Sequence, residues 1–148
     1  MSLTLEVVLH GVAATLRDRI APALDDSFAS EAARLAAMLI TISANAVDDA
    51  AAVRVWENAA LRALFGDAQD MVGPNMAGDL GDRLAQAVHS SDPGLRISEL
   101  DEENNRLRTL LVELHEAVET MEGEGARAVD ARIWQILRET VTRRAPQS

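Results

Sequence analysis

Two pairs of histidine and glutamate are spaced four residues apart, which places both side chains of a pair on one helix face. They are Glu6 with His10 and His115 with Glu119. Such a pair can bind zinc or iron when neighbouring helices supply further ligands. The chain lacks both the paired Glu-x-x-His of di-iron bundles and the His-Glu-x-x-His of zinc proteases. His115 and Glu119 are thus weak metal candidates beside the simpler interpretation of an exposed pair, and we predict no metal and no cofactor.

The residue types give little indication of a catalytic nucleophile. His89 is followed by Ser90, Ser91 and Asp92, but closeness in sequence does not make a catalytic triad, which needs a three-dimensional arrangement. The chain has no cysteine, and all 14 of its basic residues are arginine. A lysine Schiff base and a lysine-containing phosphate loop are therefore excluded. We predict no catalytic residue.

The net charge of −10 at pH 7 argues against nucleic acid and anionic membranes as partners, because both bind mainly through basic residues. The most apolar run, 32–47, is shorter than the roughly 20 residues that cross a bilayer. The beginning of the chain lacks the basic and long apolar regions of a signal peptide. We expect a cytoplasmic protein with no nucleic-acid and no membrane partner.

The elements that must position these residues are all predicted to be helices. Alanine is abundant, tyrosine is absent and only two Phe and two Trp are present, which favours helix over sheet. Apolar residues recur at steps of three and four between segments rich in Pro, Gly and other turn formers. We predict helices at 3–21, 27–47, 49–65, 79–89, 97–121 and 126–144, a loop at 67–81 and a turn at 89–95.

These segments predict an all-α fold, a bundle of five or six helices with a C-terminal antiparallel helical hairpin. The length suits a single domain, 1–148, with sub-parts 1–89 and 96–145 joined by the turn at 89–95. Alanines widen the apolar face of the second helix and would let another helix approach closely. The apolar faces of the first two helices consist of Leu5, Val8, Leu9, Val12, Leu16 and Ile20, and of Phe28, Leu35, Met38, Leu39 and Ile42.

The stretch 97–121 has the seven-residue apolar rhythm of a coiled coil, interrupted by Asn104. An Asn at such a position can fix the register of two paired helices. Leu110 and Val112 widen the stripe, which favours instead the core of a bundle with Asn104 near an exposed helix start. Both interpretations stay open. If the stripe joins two chains, the self-association residues are Leu100, Asn104, Leu107, Leu111, Leu114 and Val118.

A ligand pocket between the second and third helices, under the loop at 73–81, is a further hypothesis. Apolar side chains would line it, and an arginine would meet the anionic head group of an acyl-type ligand. The candidate residues are Arg34, Leu35, Met38, Leu39, Trp56, Arg62 and Leu64.

Three short motifs follow one another in the front half of the chain: Leu16-Arg17, Pro22-Ala23-Leu24 and Ala33-Arg34-Leu35-Ala36-Ala37. The segment that holds them, 16–47, resembles a small uncharacterised bacterial all-helical family often encoded near phosphotransferase-like and acyl-CoA dehydrogenase-like enzymes. Members carry Arg-Glu after the apolar helix, where this chain has Ala44-Asn45. The resemblance implies a helper or binding module with a metabolic-enzyme partner, and it transfers no catalytic residue.

Taken together, these patterns predict a non-catalytic interaction or oligomerisation module that forms a homodimer. The first alternative is a bundle that binds an apolar or acyl-type ligand. The second is a metal-dependent enzyme at His115 and Glu119.

Overall fold

Six α-helices follow one another in the part of the chain that the structure describes, and the all-α prediction is confirmed. The structure is a computed structural model that describes residues 3–47 and 49–145. A π-helical turn (Leu16–Ile20) and a 3-10 turn (Ala21–Ala23) follow the first helix, and another 3-10 turn (Gly73–Asn75) follows the third. The helices are α1 (Leu5–Thr15), α2 (Ser27–Val47), α3 (Ala50–Val72), α4 (Leu80–Val88), α5 (Ile97–Glu119) and α6 (Glu124–Arg144).

The described residues divide into two compact units, here called unit 1, up to Ala50, and unit 2, from Ala51 to Ala145. The predicted division at 89–95 lies instead inside unit 2. The reason is that this turn is bonded to α3: Arg62 donates hydrogen bonds to Ser90 Oγ at 3.0 Å and to Asp92 Oδ1 at 2.9 Å. The turn is therefore a packed part of unit 2 and not a linker.

Unit 1 is a hairpin of α1 and α2. The hydroxyl of Thr4 accepts a hydrogen bond from the backbone N–H of Val7 at 3.4 Å, which caps α1. Asp26 caps α2, since its two carboxylate oxygens accept from the backbone N–H groups of Phe28 and Ala29 at 3.3 and 3.1 Å. The caps define where each helix of the hairpin begins, close to the predicted positions.

Unit 2 contains α3 to α6 around one apolar core. Helix α3 continues past its predicted end at 65, because Ala68 and Val72 extend the buried stripe of Leu61 and Phe65. A single glycine at position 66 costs the helix only about 1 kcal/mol, which this packing offsets. The largest fully buried apolar side chains of the core are Phe65, Leu61, Leu64, Leu84, Leu107, Leu114, Ile133 and Val129.

Helices α5 and α6 form the predicted C-terminal hairpin, joined by a short turn that ends at Gly123. Gly123 has a φ of 113°, a conformation that side-chain-bearing residues rarely adopt. Gly125 allows the first turn of α6 to approach α3 closely, since a Cβ there would lie 2.8 Å from the carbonyl oxygen of Met71. These glycines fix the start of α6 against the end of α3.

Candidate interaction surface

The two helices of unit 1 contact each other through small side chains. Among the described residues of this unit, the buried apolar ones are all alanines, between 0% and 2% exposed. Ser30 ties the two helical stretches together, since its hydroxyl donates to the carbonyl oxygen of Ala21 at 2.8 Å. The predicted close approach through alanines therefore occurs, and it leaves the large apolar side chains outside this contact. The buried alanines are Ala13, Ala21, Ala37 and Ala44.

Five large apolar residues of α2 lie on the side of the helix that faces away from α1, whereas Ile40 is half-buried. Ala37 is two residues from both Leu35 and Leu39, which at 100° per residue puts it on the far side from them. Their side chains are therefore in solvent while Ala37 is buried. We name this set the outer face of α2; it comprises Phe28, Leu35, Met38, Leu39 and Ile42, which are 82%, 53%, 53%, 54% and 39% exposed.

The apolar face of α1 is also largely uncovered. Leu5, Val8 and Val12 are 59%, 44% and 45% exposed, whereas Leu9 and Leu16 are half-buried. Ala13 is the buried residue of this helix, so α1 also turns a small side chain toward its neighbour. Sequence periodicity correctly located an apolar face on each helix, but within this chain neither face is the one that becomes buried.

Charge is scarce along the outer face of α2. No charged residue occurs between Leu35 and Val47, and the nearest pair, Arg34 with Glu31, lies N-terminal to that stretch with 3.8 Å between Nε and Oε1. Alanines lie on one side of α2 and large apolar residues on the other, so the helix has two apolar sides that could each be covered. Only one of its two sides is covered by α1.

Unit 2 differs in how it treats its large apolar residues. Its core encloses them, and those left exposed are scattered over four elements, namely α3, the turn before α5, α5 and α6. Isolated exposed apolar residues are normal on a protein surface, whereas a row along one helix marks an interaction site. The exposed large apolar residues of unit 2 are Met71, Leu95, Ile97, Val112, Trp134 and Val141.

A chain of hydrogen bonds runs through the interior of unit 2. Asn58, fully buried, donates from Nδ2 to Asp92 Oδ1 at 2.9 Å and accepts at Oδ1 from Asn104 Nδ2, also at 2.9 Å. Arg62 bonds the same Asp92 oxygen and, at 2.7 Å, Glu103 Oε1. Helices α3 and α5 and the intervening turn are therefore held by polar contacts that are satisfied within the chain.

This row of hydrogen bonds ends at Glu57, whose carboxylate is only 2% exposed. Arg144 donates to its Oε2 from Nε and Nη2 at 2.9 and 2.7 Å, and Arg108 Nε lies 3.5 Å from its Oε1. Arg144 Nη2 also donates to Asn104 Oδ1 at 3.2 Å. Two arginines thus balance a buried charge, which explains why burial is tolerated and assigns Glu57 a structural role.

The pKa of Glu103 is lowered strongly by neighbouring arginines. Hydrogen bonds from Arg106, and then from Arg62, lower its pKa to about 2, against the opposing effect of burial. Arg106 donates to Glu103 from Nε and Nη2 at 2.9 and 2.8 Å. Glu103 is therefore ionised at neutral pH and acts as a fixed anion, not as a general acid.

The apolar stripe at 97–121, for which the sequence left two interpretations open, is part of the core of unit 2. All six predicted self-association residues are buried, at 6% exposure or less, and four of them belong to the apolar core of unit 2. Asn104 is not near an exposed helix start but is 2% exposed and paired with Asn58. The stripe leaves no free surface for pairing with a second chain, because residues of α3, α4 and α6 cover it within the same core. The six residues predicted for self-association, here buried within the chain, are Leu100, Asn104, Leu107, Leu111, Leu114 and Val118.

The predicted ligand pocket is not assembled within either unit. Arg34, Leu35, Met38 and Leu39 lie in unit 1, where they are exposed.

The other three predicted pocket residues lie in unit 2 and are already engaged there. Leu64 is fully buried in the core, and Arg62 is taken up by Asp92 and Glu103. The ring of Trp56 is stacked under Arg143, whose guanidinium carbon is 4.2 Å from the ring centroid. Arg62 therefore has no free charge to offer an anionic head group.

His115 has a neighbour that the sequence did not indicate. Its Nε2 is 3.0 Å from Asp130 Oδ1 and 3.8 Å from Glu119 Oε1, and its ring meets Trp134 edge-on at 5.6 Å between centroids. In the part of the chain that the structure describes, no group of three or more His, Cys, Asp or Glu side chains is arranged to hold a metal ion. His115 is thus packed by an aspartate and a tryptophan from α6.

The turn residues His89, Ser90 and Asp92 do not form a triad. His89 is exposed at the C-terminal end of α4, while Ser90 donates to the carbonyl oxygen of Ala87 at 2.7 Å. Asp92 faces Arg62 and Asn58. The three side chains therefore bond to other partners and are not aligned for proton transfer.

The sequence carries one signal that Glu57 is buried. Glu57 precedes Leu61, Leu64 and Phe65 at intervals of four and seven or eight, so it lies in the register of the buried stripe of α3. A charged residue in a core register predicts a buried partner. Which partner it finds, Arg144 from the far end of the chain, is set by tertiary packing alone.

Two shallow hollows are present on unit 2. One of about 290 Å³ is lined by α4 and α5 and includes Arg83, Arg106 and Glu113; the other, about 500 Å³, lies beside Trp134 and Asp130. The arginines of the first are occupied by Glu113 and Glu103. The first hollow therefore offers no free arginine to a ligand, whereas Arg127 lines the second.

Comparison with known protein families, curated proteins and solved structures finds no match for this chain. The resemblance of 16–47 to a bacterial helical family, with the partner it implies, stays a prediction. No single helix among the described residues is long and apolar enough to cross a membrane; α2 and α3 reach that length and composition only when they are taken together.

Proposed function

We propose that this protein is a non-catalytic interaction module that works through unit 1. The observation that supports the proposal is the outer face of α2, a row of large apolar side chains exposed along about four turns of helix while alanines fill the contact with α1. A helix that is apolar on two sides and covered on one lowers its free energy by docking the other. Unit 2 would then serve as the stable body that carries the hairpin.

The alternatives receive less support from particular residues. An enzyme needs a nucleophile or an acid–base pair that is available to a substrate. The ionisable clusters described above are instead ion pairs in which each group already has its partner. An acyl-ligand pocket would need Arg62 and Leu64 at its wall, and both are engaged inside unit 2.

A labelling experiment tests whether the outer face of α2 is covered when partners are present. Because the chain has no cysteine, a Leu39→Cys variant carries a single thiol on this face, and Gln135→Cys carries one on the exposed side of α6. In dilute purified protein we expect both thiols to react with a maleimide at similar rates. In extract of the producing cells we expect the Cys at position 39 to react about tenfold more slowly than the control, the factor that ~1.4 kcal/mol of protection gives.

The control separates coverage from general effects of the extract. If the thiol at position 39 reacts as fast as the thiol at position 135 in both samples, nothing covers the face and the proposed function is wrong. If a Leu39→Cys chain is protected equally in dilute purified protein, the residue lies in the chain's own core and the premise is wrong.

A further inference from the structure

We infer that the occupant of the outer face of α2 is the same face of a second copy of this chain, docked antiparallel across a two-fold axis. This inference rests on the proposed function, because it names the partner of the same surface. Three observations support it: the shape of the apolar row, the positions of its charges and the area it offers.

The apolar row contains the elementary patch through which helices pack. Leu35, Met38, Leu39 and Ile42 stand at positions i, i+3, i+4 and i+7, so that they form a diamond whose edges are the ridges used in helix–helix packing. All four are exposed. A diamond of this kind is self-complementary, since a two-fold axis through its centre sets each ridge beside the groove of the other copy.

The centre of the diamond fixes the expected register. It lies midway between Met38 and Leu39, so antiparallel docking sets Leu35 opposite Ile42 of the other copy. In the same register, Met38 meets Leu39 of the other copy. Every large side chain of the diamond then contacts another large apolar side chain, as a closed two-fold interface requires.

The charges at the N-terminal end of α2 select the antiparallel direction. In a parallel pair, Glu31 would face Glu31 of the other copy and Arg34 would face Arg34, and like charges opposite each other are destabilising. In the antiparallel pair, Arg34 lies opposite Ser43 and Glu31 opposite Ala46 of the other copy. No charged residue occurs between Leu35 and Val47, so the antiparallel pair places no two like charges together in this stretch.

The area available sets the strength that we expect. Full burial of a large apolar side chain removes about 60–120 Å² from water, so covering the exposed parts of the outer face in two copies removes on the order of 500 Å² of apolar surface. A standard stable interface buries about 1,600 Å² in total, somewhat over half of it apolar. The outer face of α2 therefore predicts a weak dimer that dissociates on dilution, with a dissociation constant in the micromolar range.

The exposed surfaces of unit 2 fit this partner less well. The exposed apolar residues of unit 2 are scattered over four elements and offer no row of matching length. An anionic lipid surface is disfavoured by the net charge of −10 and by the absence of basic residues along α2 beyond Arg34. A second α2 is uncharged along the same stretch and carries the same row.

Sedimentation velocity and site-directed cross-linking of the full chain test the inference together. Between roughly 1 and 100 μM, the range in which a weak interface populates both states, we expect the mass to rise from one chain toward two. We expect Leu35→Gln combined with Leu39→Gln to remain one chain throughout. The matched control, Gln135→Ala on α6, should behave as the native chain.

Cross-linking then reads the direction of the helices. Disulfides form only where Cα atoms come within about 7 Å of each other. We expect a mixture of Leu35→Cys and Ile42→Cys chains to give at least about five times more covalent dimer than either variant alone, because the antiparallel register pairs these two positions. Equal yields from each variant alone would mean a parallel pair and would overturn the antiparallel arrangement.

The outcomes separate failure of this inference from failure of the proposed function. A chain that stays monomeric at every concentration and gives no cross-link overturns the second copy as partner. If its Leu39→Cys thiol is nevertheless protected in extract, the proposed function stands and a different occupant, a heterologous protein or a membrane, covers the face. Binding of the purified chain to vesicles of neutral lipid, with no dimer in solution, would assign the face to a membrane and contradict this inference.

Discussion

Units 1 and 2 are built from the same helix-forming residues, yet they bury opposite kinds of side chain. Unit 2 encloses leucines, isoleucines and its phenylalanine and surrounds them with ion pairs. The described part of unit 1 instead buries four alanines and exposes most of its large apolar residues. Close packing through small residues brings two helices together but removes little apolar area from water. Unit 2 thus buries most of its large apolar side chains by itself, whereas unit 1 leaves apolar surface exposed to solvent.

The largest expected contrast comes from the two phenylalanines of the chain. Phe65 is fully buried in unit 2, so Phe65→Ala should lower the free energy of unfolding by about 3–5 kcal/mol, the cost of lost contacts plus a cavity. Phe28 is 82% exposed, so Phe28→Ala should change it by less than about 0.5 kcal/mol. Urea unfolding followed by far-UV circular dichroism at low protein concentration measures both. Similar losses at the two positions would mean that the units do not differ as described.

The next largest effect concerns the buried carboxylate of unit 2. Glu57→Gln removes the charge that balances Arg144 and Arg108, and we expect a loss of about 3 kcal/mol, at the lower end for breaking a buried pair because Arg144 reaches solvent. Glu139→Gln, which breaks the exposed pair with Arg143, is the control and should cost less than about 0.5 kcal/mol. Tryptophan fluorescence is the suitable readout because Trp56 and Trp134 are both in unit 2. No loss in Glu57→Gln would show that the charge is not buried in solution.

A smaller, pH-dependent effect is expected from Glu103. Its pKa is about 2 in the folded chain and near 4.5 when unfolded, so its contribution is fully present above the unfolded value and is lost as the pH falls from about 4.5 toward 2. We expect the native chain to be about 2 kcal/mol more stable than Glu103→Gln at pH 6, after allowing for the exposure of Arg106, and the difference to vanish near pH 2. The measurement is the difference in unfolding free energy between the two chains across this range.

The comparison isolates Glu103, because other carboxylates titrate in both chains alike. A difference that stays constant from pH 6 to pH 2 would mean that the pKa of Glu103 is not lowered by Arg106 and Arg62. A difference that grows as the pH falls would reverse the sign and contradict the ion pairs.

The sequence predicted the helices better than it predicted their neighbours. Four of the six lie close to the expected bounds, because capping residues, prolines and apolar periodicity are local signals. Helix α1 ends at Thr15, before the predicted end at 21, because the chain continues as a π-helical turn. Helix α3 ran longer than expected, since burial of Ala68 and Val72 outweighs a local glycine. Local chemistry therefore predicts most of the helix bounds, whereas packing sets the end of α3.

The site was harder to predict because periodicity shows that a face is apolar without showing what covers it. The stripe around Leu107 and the outer face of α2 look alike in the sequence, but the first is core and the second is exposed. The difference lies in the alanines at positions 37 and 44, which let α1 approach on the other side of α2. That choice between two apolar sides of one helix depends on the whole hairpin and is not a property of any short motif.

Labelling of neighbouring positions on α2 tests the central claim most directly. In dilute protein, a Leu39→Cys thiol should react with a maleimide at about the rate of an unhindered thiol, and an Ala37→Cys thiol, on the buried side, at least about tenfold more slowly. That result would establish that small residues face α1 and that the large apolar face of α2 is free for a partner. Fast reaction at position 37 with protection at position 39 would show that the large residues are the buried ones and would contradict the interaction surface.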